Sequence, residues 1–260
     1  MSDNILSLIL EAKRKKVRML EKNREGILSL IKKAPKVRTF KEALQRENKI
    51  SIIAEIKQAS PSAGILRKDF SHLKLASAFV QAGASAISIL TEEEFFLGKK
   101  KYIGEIHSCV DLPLLRKDFI IDEMQVLESR ALGADAILLI MRILDERRFT
   151  HLYEVAKDLK MDVLVEVHTQ KELRRVLKHP ADIIGINNRN LQTLQVDLDR
   201  TKKLVPFIPS EIVKIAMSGI SSVKDMLLLK GLGVNAVLIG EVLMKDDDPQ
   251  AKLKELNIDG

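Results

Sequence analysis

The chain is poor in the residues that staple, anchor or stack. Its 260 residues include one cysteine, no tryptophan, two tyrosines and eight phenylalanines. A single thiol, Cys109, excludes an internal disulfide and a cysteine-cluster metal site. It lies in an apolar stretch, which favours a packed thiol over a nucleophile. No run approaches the roughly 20 apolar residues of a membrane span. The N-terminus carries Asp3 and Glu11 without an apolar signal core, so the expected compartment is the cytosol, with no membrane partner. Basic residues are not interleaved with aromatic ones and no nucleic-acid motif is present, so nucleic acid is not an expected partner. There is no GxGxxG fingerprint, linker or low-complexity segment.

What is present is ordinary for a globular protein: 46% apolar and 30% charged residues, with a net charge of +7. The length suits one α/β barrel, although two smaller domains would also fit. Among the partners a basic excess can serve, small anionic substrates remain once nucleic acid and membranes are set aside. A diffusely basic surface is the bland alternative.

Hydrophobic periodicity orders the chain. Residues 5–22 place Ile5, Ile9, Lys13 and Val17 at helical spacing, and a second short helix is expected at 39–47. Eight short apolar runs then recur at 51–56, 85–90, 112–116, 136–140, 163–167, 182–186, 212–216 and 236–240. Helical-period segments lie between them, such as 70–82, 122–132, 143–159, 169–178 and 221–231. Apolar strands alternating with amphipathic helices indicate a parallel sheet covered by helices. Eight repeats fit a closed (β/α)8 TIM barrel better than an open doubly wound sheet. Residues 1–48 exceed the minimum barrel and are expected to be a helical extension capping one end of a single domain spanning 1–260.

In such a barrel, chemistry lies at the C-terminal ends of the strands. There the apolar runs are interrupted by Glu55 and Lys57, by Lys117, by Glu166, by Asn187 and by Glu241. Two-residue spacing puts Glu55 and Lys57 on one face. Charges inside a barrel are costly unless paired, so a structural ion-pair layer, Glu55–Lys57 or Lys117–Glu166, is the non-catalytic alternative. Convergence of all of them at the same strand ends favours a site, because barrel interiors are normally filled with branched apolar side chains. Ser218-Gly219 and Gly240 close the last two strands, where backbone amides can hold a phosphate; tight turns are the alternative reason for the glycines.

Several separated motifs resemble the indole-3-glycerol-phosphate synthase family in order and spacing. They are Ile52 through Ser62, Ser88 through Glu92 with Phe95-Phe96, Leu115 through Phe119, Leu164 through Val167, Gly185 through Leu191, and Ser218-Gly219-Ile220. The resemblance covers essentially the whole chain, the N-terminal helices included. It implies closure of the indole ring of 1-(2-carboxyphenylamino)-1-deoxyribulose 5-phosphate, with loss of carbon dioxide and water. It implies a small anionic phosphorylated substrate, no cofactor, no metal, and a monomer or weak homo-oligomer. By the same resemblance Lys117 is the general acid, expected to be shifted toward neutral pH by nearby positive charge. Lys57 holds anionic groups, and Glu166 is the acid/base residue for dehydration. Glu55 and Asn187 orient the lysines and the substrate hydroxyls. Ser60, Ser218, Gly219 and Gly240 match the phosphate neighbourhood. Phe96, Phe119, Leu138 and Leu191 match the pocket for the aromatic ring, although core packing would otherwise be their reading. Arg189 either contacts substrate or braces Glu55 and its neighbours.

Two positions depart from the resemblance. The family pattern Glu-Ser-Gly-Ile reads Met217-Ser218-Gly219-Ile220 here, so one carboxylate is missing and a flexible apolar side chain replaces it. Lys99 stands where serine is frequent. The departures leave three readings open beside an intact synthase: a synthase slowed by Met217, an engineered scaffold using a glutamate base on a non-natural aromatic substrate, or a non-catalytic anion-binding barrel. Phosphoribosylanthranilate isomerase, which uses a cysteine and an aspartate, is a weaker match because Cys109 precedes the third strand.

Overall fold

A computed structural model describes residues 2–190 and 195–259. Its eight parallel barrel strands are β1 (Ser51–Ile56), β2 (Ala86–Leu90), β3 (Leu114–Lys117), β4 (Ala136–Ile140), β5 (Asp162–Val167), β6 (Ile183–Asn187), β7 (Val213–Met217) and β8 (Ala236–Ile239). Each pairs with its neighbours in sequence, and β8 closes the ring on β1 with Ser51 opposite Ala236. The expected runs 51–56 and 136–140 coincide with β1 and β4, and the other six differ from their strands by one or two residues at the ends. The differences matter at β3 and β6, where the polar Lys117 and Asn187 belong to the strands themselves.

Alternation divides each strand between two cores. Ile53, Leu115, Leu138, Leu164, Ile215 and Leu238 fill the interior. Ile52, Ile87, Leu139, Val165, Ile184 and Val237 face outward under the helices. With both faces covered, the strands read as continuous apolar runs, as parallel sheets do. The covering helices are shorter than periodicity suggests, and at several of them a polar N-cap sets a later start. Asp145 caps the helix that follows β4 through Arg148 N–H, so that helix spans Glu146–Asp158, and the preceding Met141–Ile143 is a separate 3₁₀ turn. The helices after β5 and β7, Gln170–Val176 and Val223–Gly231, each begin with a reciprocal capping box, Thr169 with Glu172 and Ser222 with Asp225.

The N-terminal extension differs from expectation by reaching both ends of the barrel. Helix α1 (Ser2–Glu21) crosses the C-terminal mouth, where Ile5, Leu6 and Ile9 line the cleft. Helix α2 (Arg24–Ile31), not anticipated from the sequence, seats Ile27 against Met124 and Leu127 on the outer layer. Helix α3 (Phe40–Leu44) is shorter than the expected 39–47 and closes the opposite end. Its Phe40 and Leu44 join the interior cluster. The Lys41 N–H donates to Asp162 Oδ2 at 2.8 Å, at the start of β5, and the Arg38 N–H donates to Asp135 Oδ1 at 2.7 Å. One segment can serve both ends because α2 runs down the side of the barrel between them.

Cys109 also departs from expectation. It is exposed, just beyond the helix Lys101–His107, while its neighbours Ile106 and Val110 take the buried positions. Among the described residues, no helix is long and apolar enough to cross a membrane.

Candidate active site

One cleft at the C-terminal mouth is lined by thirteen of the residues singled out in the sequence: Glu55, Lys57, Ser60, Phe96, Lys117, Phe119, Leu138, Glu166, Asn187, Arg189, Ser218, Gly219 and Gly240. Met217 lines it as well. Leu191 lies outside the described residues. Lys99 is exposed and does not line the cleft.

The charged floor is organised around Glu55. Its Oε1 accepts from Lys57 Nζ at 2.7 Å, and its Oε2 lies 3.6 Å from Lys117 Nζ. Burial alone would raise the Glu55 carboxyl, but the two lysines outweigh it and hold the group below its ordinary range. Lys117 is shifted the opposite way from the expectation. Burial would lower it, yet Glu55 and then Glu166 raise it, because its neighbours are carboxylates rather than cations. The direct pair is thus Lys117–Glu55, not Lys117–Glu166, with Glu166 acting at longer range. Gly240 makes this floor possible: a Cβ there would stand 2.6 Å from Glu55 Oε1.

Glu166 has a separate set of neighbours. Asn187 Nδ2 donates to its Oε1 at 3.1 Å, and Asn187 Oδ1 accepts the Arg189 N–H at 3.0 Å. Asn187 therefore orients a carboxylate and a loop rather than the lysines. The Arg189 guanidinium reaches Glu241 Oε2 at 2.7 Å; the carboxylate it braces is Glu241, not Glu55. Lys245 holds the other Glu241 oxygen, also at 2.7 Å.

Ser218 and Gly219 turn the chain after β7 with successive φ values of 67° and 80°. Gly219 is required twice over: by its positive φ, and because a Cβ would stand 2.0 Å from Val196 Cγ1. Asn188, fully buried, pins this turn. Its Nδ2 donates to the Ser218 carbonyl, and its Oδ1 accepts from the Thr201 N–H and hydroxyl. Ser60 lies across the cleft, its hydroxyl 3.2 Å from that of Ser62. On the apolar side the Phe96 and Phe119 rings are 6.2 Å apart and tilted, beside Leu138. Met217 is buried in the interior layer, and Gly185 leaves room for it: a Cβ on Gly185 would meet Met217 Sδ at 2.6 Å. At the strand-seven position the cleft wall is therefore apolar.

A buried network not foreseen from the sequence holds these walls. Lys13 on α1 reaches Asp118 Oδ1 at 2.5 Å and Glu92 Oε1 at 3.8 Å. The Glu92 carboxylate accepts the N–H groups of Glu94, Phe95 and Phe96, which sets the Phe96 loop. Asp118 accepts from Thr91, Arg116 and the Phe119 N–H. Burial would raise the Asp118 carboxyl, but Lys13 and Arg116 hold it well below the usual range. The available sequence signal was Lys13, the one charged position on the apolar stripe of α1. Among the described residues, no cluster of three histidine, cysteine or acidic side chains is placed to hold a metal ion.

Comparison with known proteins places this cleft in context. The family model described as indole-3-glycerol phosphate synthase matches residues 6–256. The chain is 47% identical over 230 residues to the indole-3-glycerol phosphate synthase of Alkaliphilus metalliredigens, covering 88% of each chain. It is 44% identical over 259 residues to that of Desulforamulus reducens, covering 98% of each. Among solved structures, 3-hexulose-6-phosphate synthase from Salmonella typhimurium superposes with a TM-score of 0.66 at 15% identity, over 80% of this chain and 97% of that one. That likeness concerns the barrel fold alone. These relatives support neither a non-catalytic anion-binding barrel nor an engineered scaffold.

Proposed function

The chain belongs to the indole-3-glycerol phosphate synthase family of tryptophan biosynthesis, and from that premise we propose that it is a carboxy-lyase. Its reaction closes the indole ring of 1-(2-carboxyphenylamino)-1-deoxyribulose 5-phosphate and releases carbon dioxide and water. The observation that supports this most is the convergence of Lys57, Lys117, Glu55, Glu166 and Asn187 in one cleft, with aromatic rings on one wall and the Ser218-Gly219 turn on another.

The roles follow from chemistry. Attack of the aromatic ring on the ribulose carbonyl builds negative charge on the carbonyl oxygen, and Lys117, kept protonated by its carboxylate neighbours, donates a proton there. Lys57 attracts the substrate's anionic groups, while Glu55 fixes both ammonium groups in position. Loss of carbon dioxide restores the ring's electrons. Glu166, oriented by Asn187, then takes a proton from the ring-closed intermediate and passes it to the departing hydroxyl, which leaves as water. Ser60, Ser218, Gly219 and Gly240 offer hydroxyls and backbone amides to the phosphate. Phe96, Phe119 and Leu138 take the aromatic ring, and Leu191 is assigned to the same pocket. Arg189 lies where it can reach substrate as well as Glu241. With bacterial relatives of this kind, the reading extends to one enzyme unit working in the cytosol on a free small molecule, as a monomer or weak homo-oligomer.

Met217 leaves one carboxylate fewer than the family pattern, so turnover is expected at a reduced rate. Incubation with the substrate, read by product fluorescence, tests the proposal. Turnover should exceed that of Lys117→Ala by about 10²-fold or more. A wild-type rate no higher than that of the variant would overturn the assignment.

A further inference from the structure

His168 immediately follows β5, is 5% exposed, and has no part in the chemistry described above. Its imidazole lies between two carboxylates. Nε2 is 3.4 Å from Glu166 Oε1, and Nδ1 is 3.7 Å from Glu172 Oε2. Neither ring nitrogen completes a hydrogen bond. A buried imidazole left in that state is costly, and such groups in native proteins call for a reason. Helix capping does not supply one. Glu172 accepts the backbone N–H groups of His168 and Thr169, and Thr169 returns a bond to the Glu172 N–H. Those bonds would form with any residue but proline at position 168.

We propose that His168 is a positioning residue for Glu166, with Glu172 behind it to set the orientation of its ring. Burial would raise the Glu172 carboxyl, but the imidazole beside it and the backbone N–H groups of His168 and Thr169 hold it below the ordinary range, so it accepts and does not donate. In this arrangement the hydrogen is assigned to Nδ1, on the Glu172 side, and Nε2 is the nitrogen facing Glu166. A carboxylate behind the ring favours that tautomer electrostatically, on the side where the partners of metal-bound and triad histidines sit. Nε2 can serve Glu166 in either state. It accepts from the carboxyl when Glu166 has taken the substrate's proton, and it donates to the carboxylate when His168 itself is charged. Asn187 approaches the same Oε1 but can only donate from Nδ2. The charged groups facing the histidine are Glu166 from β5 and Glu172 from the following helix, and Lys117 acts on Glu166 across the cleft. The proton accepted by Glu166 returns to solvent or product before the next turnover, so no co-reactant is needed.

This inference rests on Glu166 being the acid/base residue, and the experiment separates the two claims. Steady-state kinetics would be measured for His168→Ala, His168→Gln, Glu166→Gln and the Ala/Gln double variant, with thermal melts for each. His168→Ala should lower kcat by roughly 10- to 100-fold with KM changed less than about threefold. His168→Gln, whose amide can accept from or donate to Glu166 near the Nε2 position, should recover part of that loss. On the Glu166→Gln background, His168→Ala should cost nothing further, because its action passes through that carboxylate. If Glu166→Gln abolishes turnover while folded His168→Ala retains full kcat, the histidine proposal fails and the base assignment stands. An additive loss in the double variant would also overturn the proposal. If His168→Ala does not fold, a His168→Gln variant no better than Glu166→Gln, with KM and Tm displaced together, makes the residue structural. Full kcat in Glu166→Gln would remove both claims.

Discussion

Replacing Lys13 by methionine keeps the length of the side chain and deletes its charge from a buried site. The Lys13 and Asp118 side chains are 4% and 1% exposed, with Nζ and Oδ1 2.5 Å apart, and Glu92 is fully buried beside them. Removing one member of a buried pair costs about 3–5 kcal/mol, because the partner charge stays behind. Asp118 keeps Arg116, Thr91 and the Phe119 N–H, which points to the low end, about 3 kcal/mol. At roughly 2–4 °C per kcal/mol for a chain of this size, Tm should fall by about 6–12 °C. KM should rise several-fold as well, because α1 brings Ile5, Leu6 and Ile9 to the cleft and Glu92 sets the Phe96 loop. Calorimetry and steady-state kinetics on the same preparations measure both quantities. Combining Lys13→Met with Asp118→Asn should cost less than the sum of the single changes. A Tm within about 2 °C of the parent, with unchanged KM, would refute the view that α1 is clamped through this pair.

Two further outcomes are expected. Met217→Glu should raise kcat/KM at least about tenfold by restoring a carboxylate to the strand-seven position; an unchanged or lower value in kinetics with the native substrate counts against any role for that group. Phe40→Ala should cost about 3–5 kcal/mol in denaturant melts, because Phe40 is fully buried in the interior core at the end opposite the cleft. Below its melting temperature the variant should keep the parent kcat, and a large loss of kcat would show that the two ends of the barrel are coupled.

Local chemistry made much of this protein legible before any tertiary structure. Each strand is a short run of mostly apolar residues, buried on both faces, and several are followed by helices with a polar N-cap. That pattern is written in contiguous residues, so the barrel and its strand ends could be placed to within a residue or two. The charged residues at the strand ends were equally local, since a lysine or glutamate interrupting such a run stands out wherever it occurs. Tertiary structure decided which of these groups meet. Glu55, rather than Glu166, is the direct partner of Lys117, because the barrel's stagger sets the end of β1 against β3 across the floor. The carboxylates around Lys117 raise its pKa where neighbouring cations had been expected. Arg189 reaches Glu241 across 52 residues of sequence, Lys13 reaches Asp118 across 105, and α3 closes the far end of the barrel. Such contacts depend on distances between segments remote in the chain, and no periodicity encodes them. Sequence alone therefore determined the barrel and the cast of charged residues at its mouth; only the closed fold decided how those charges pair, because pairing is set by separation in space.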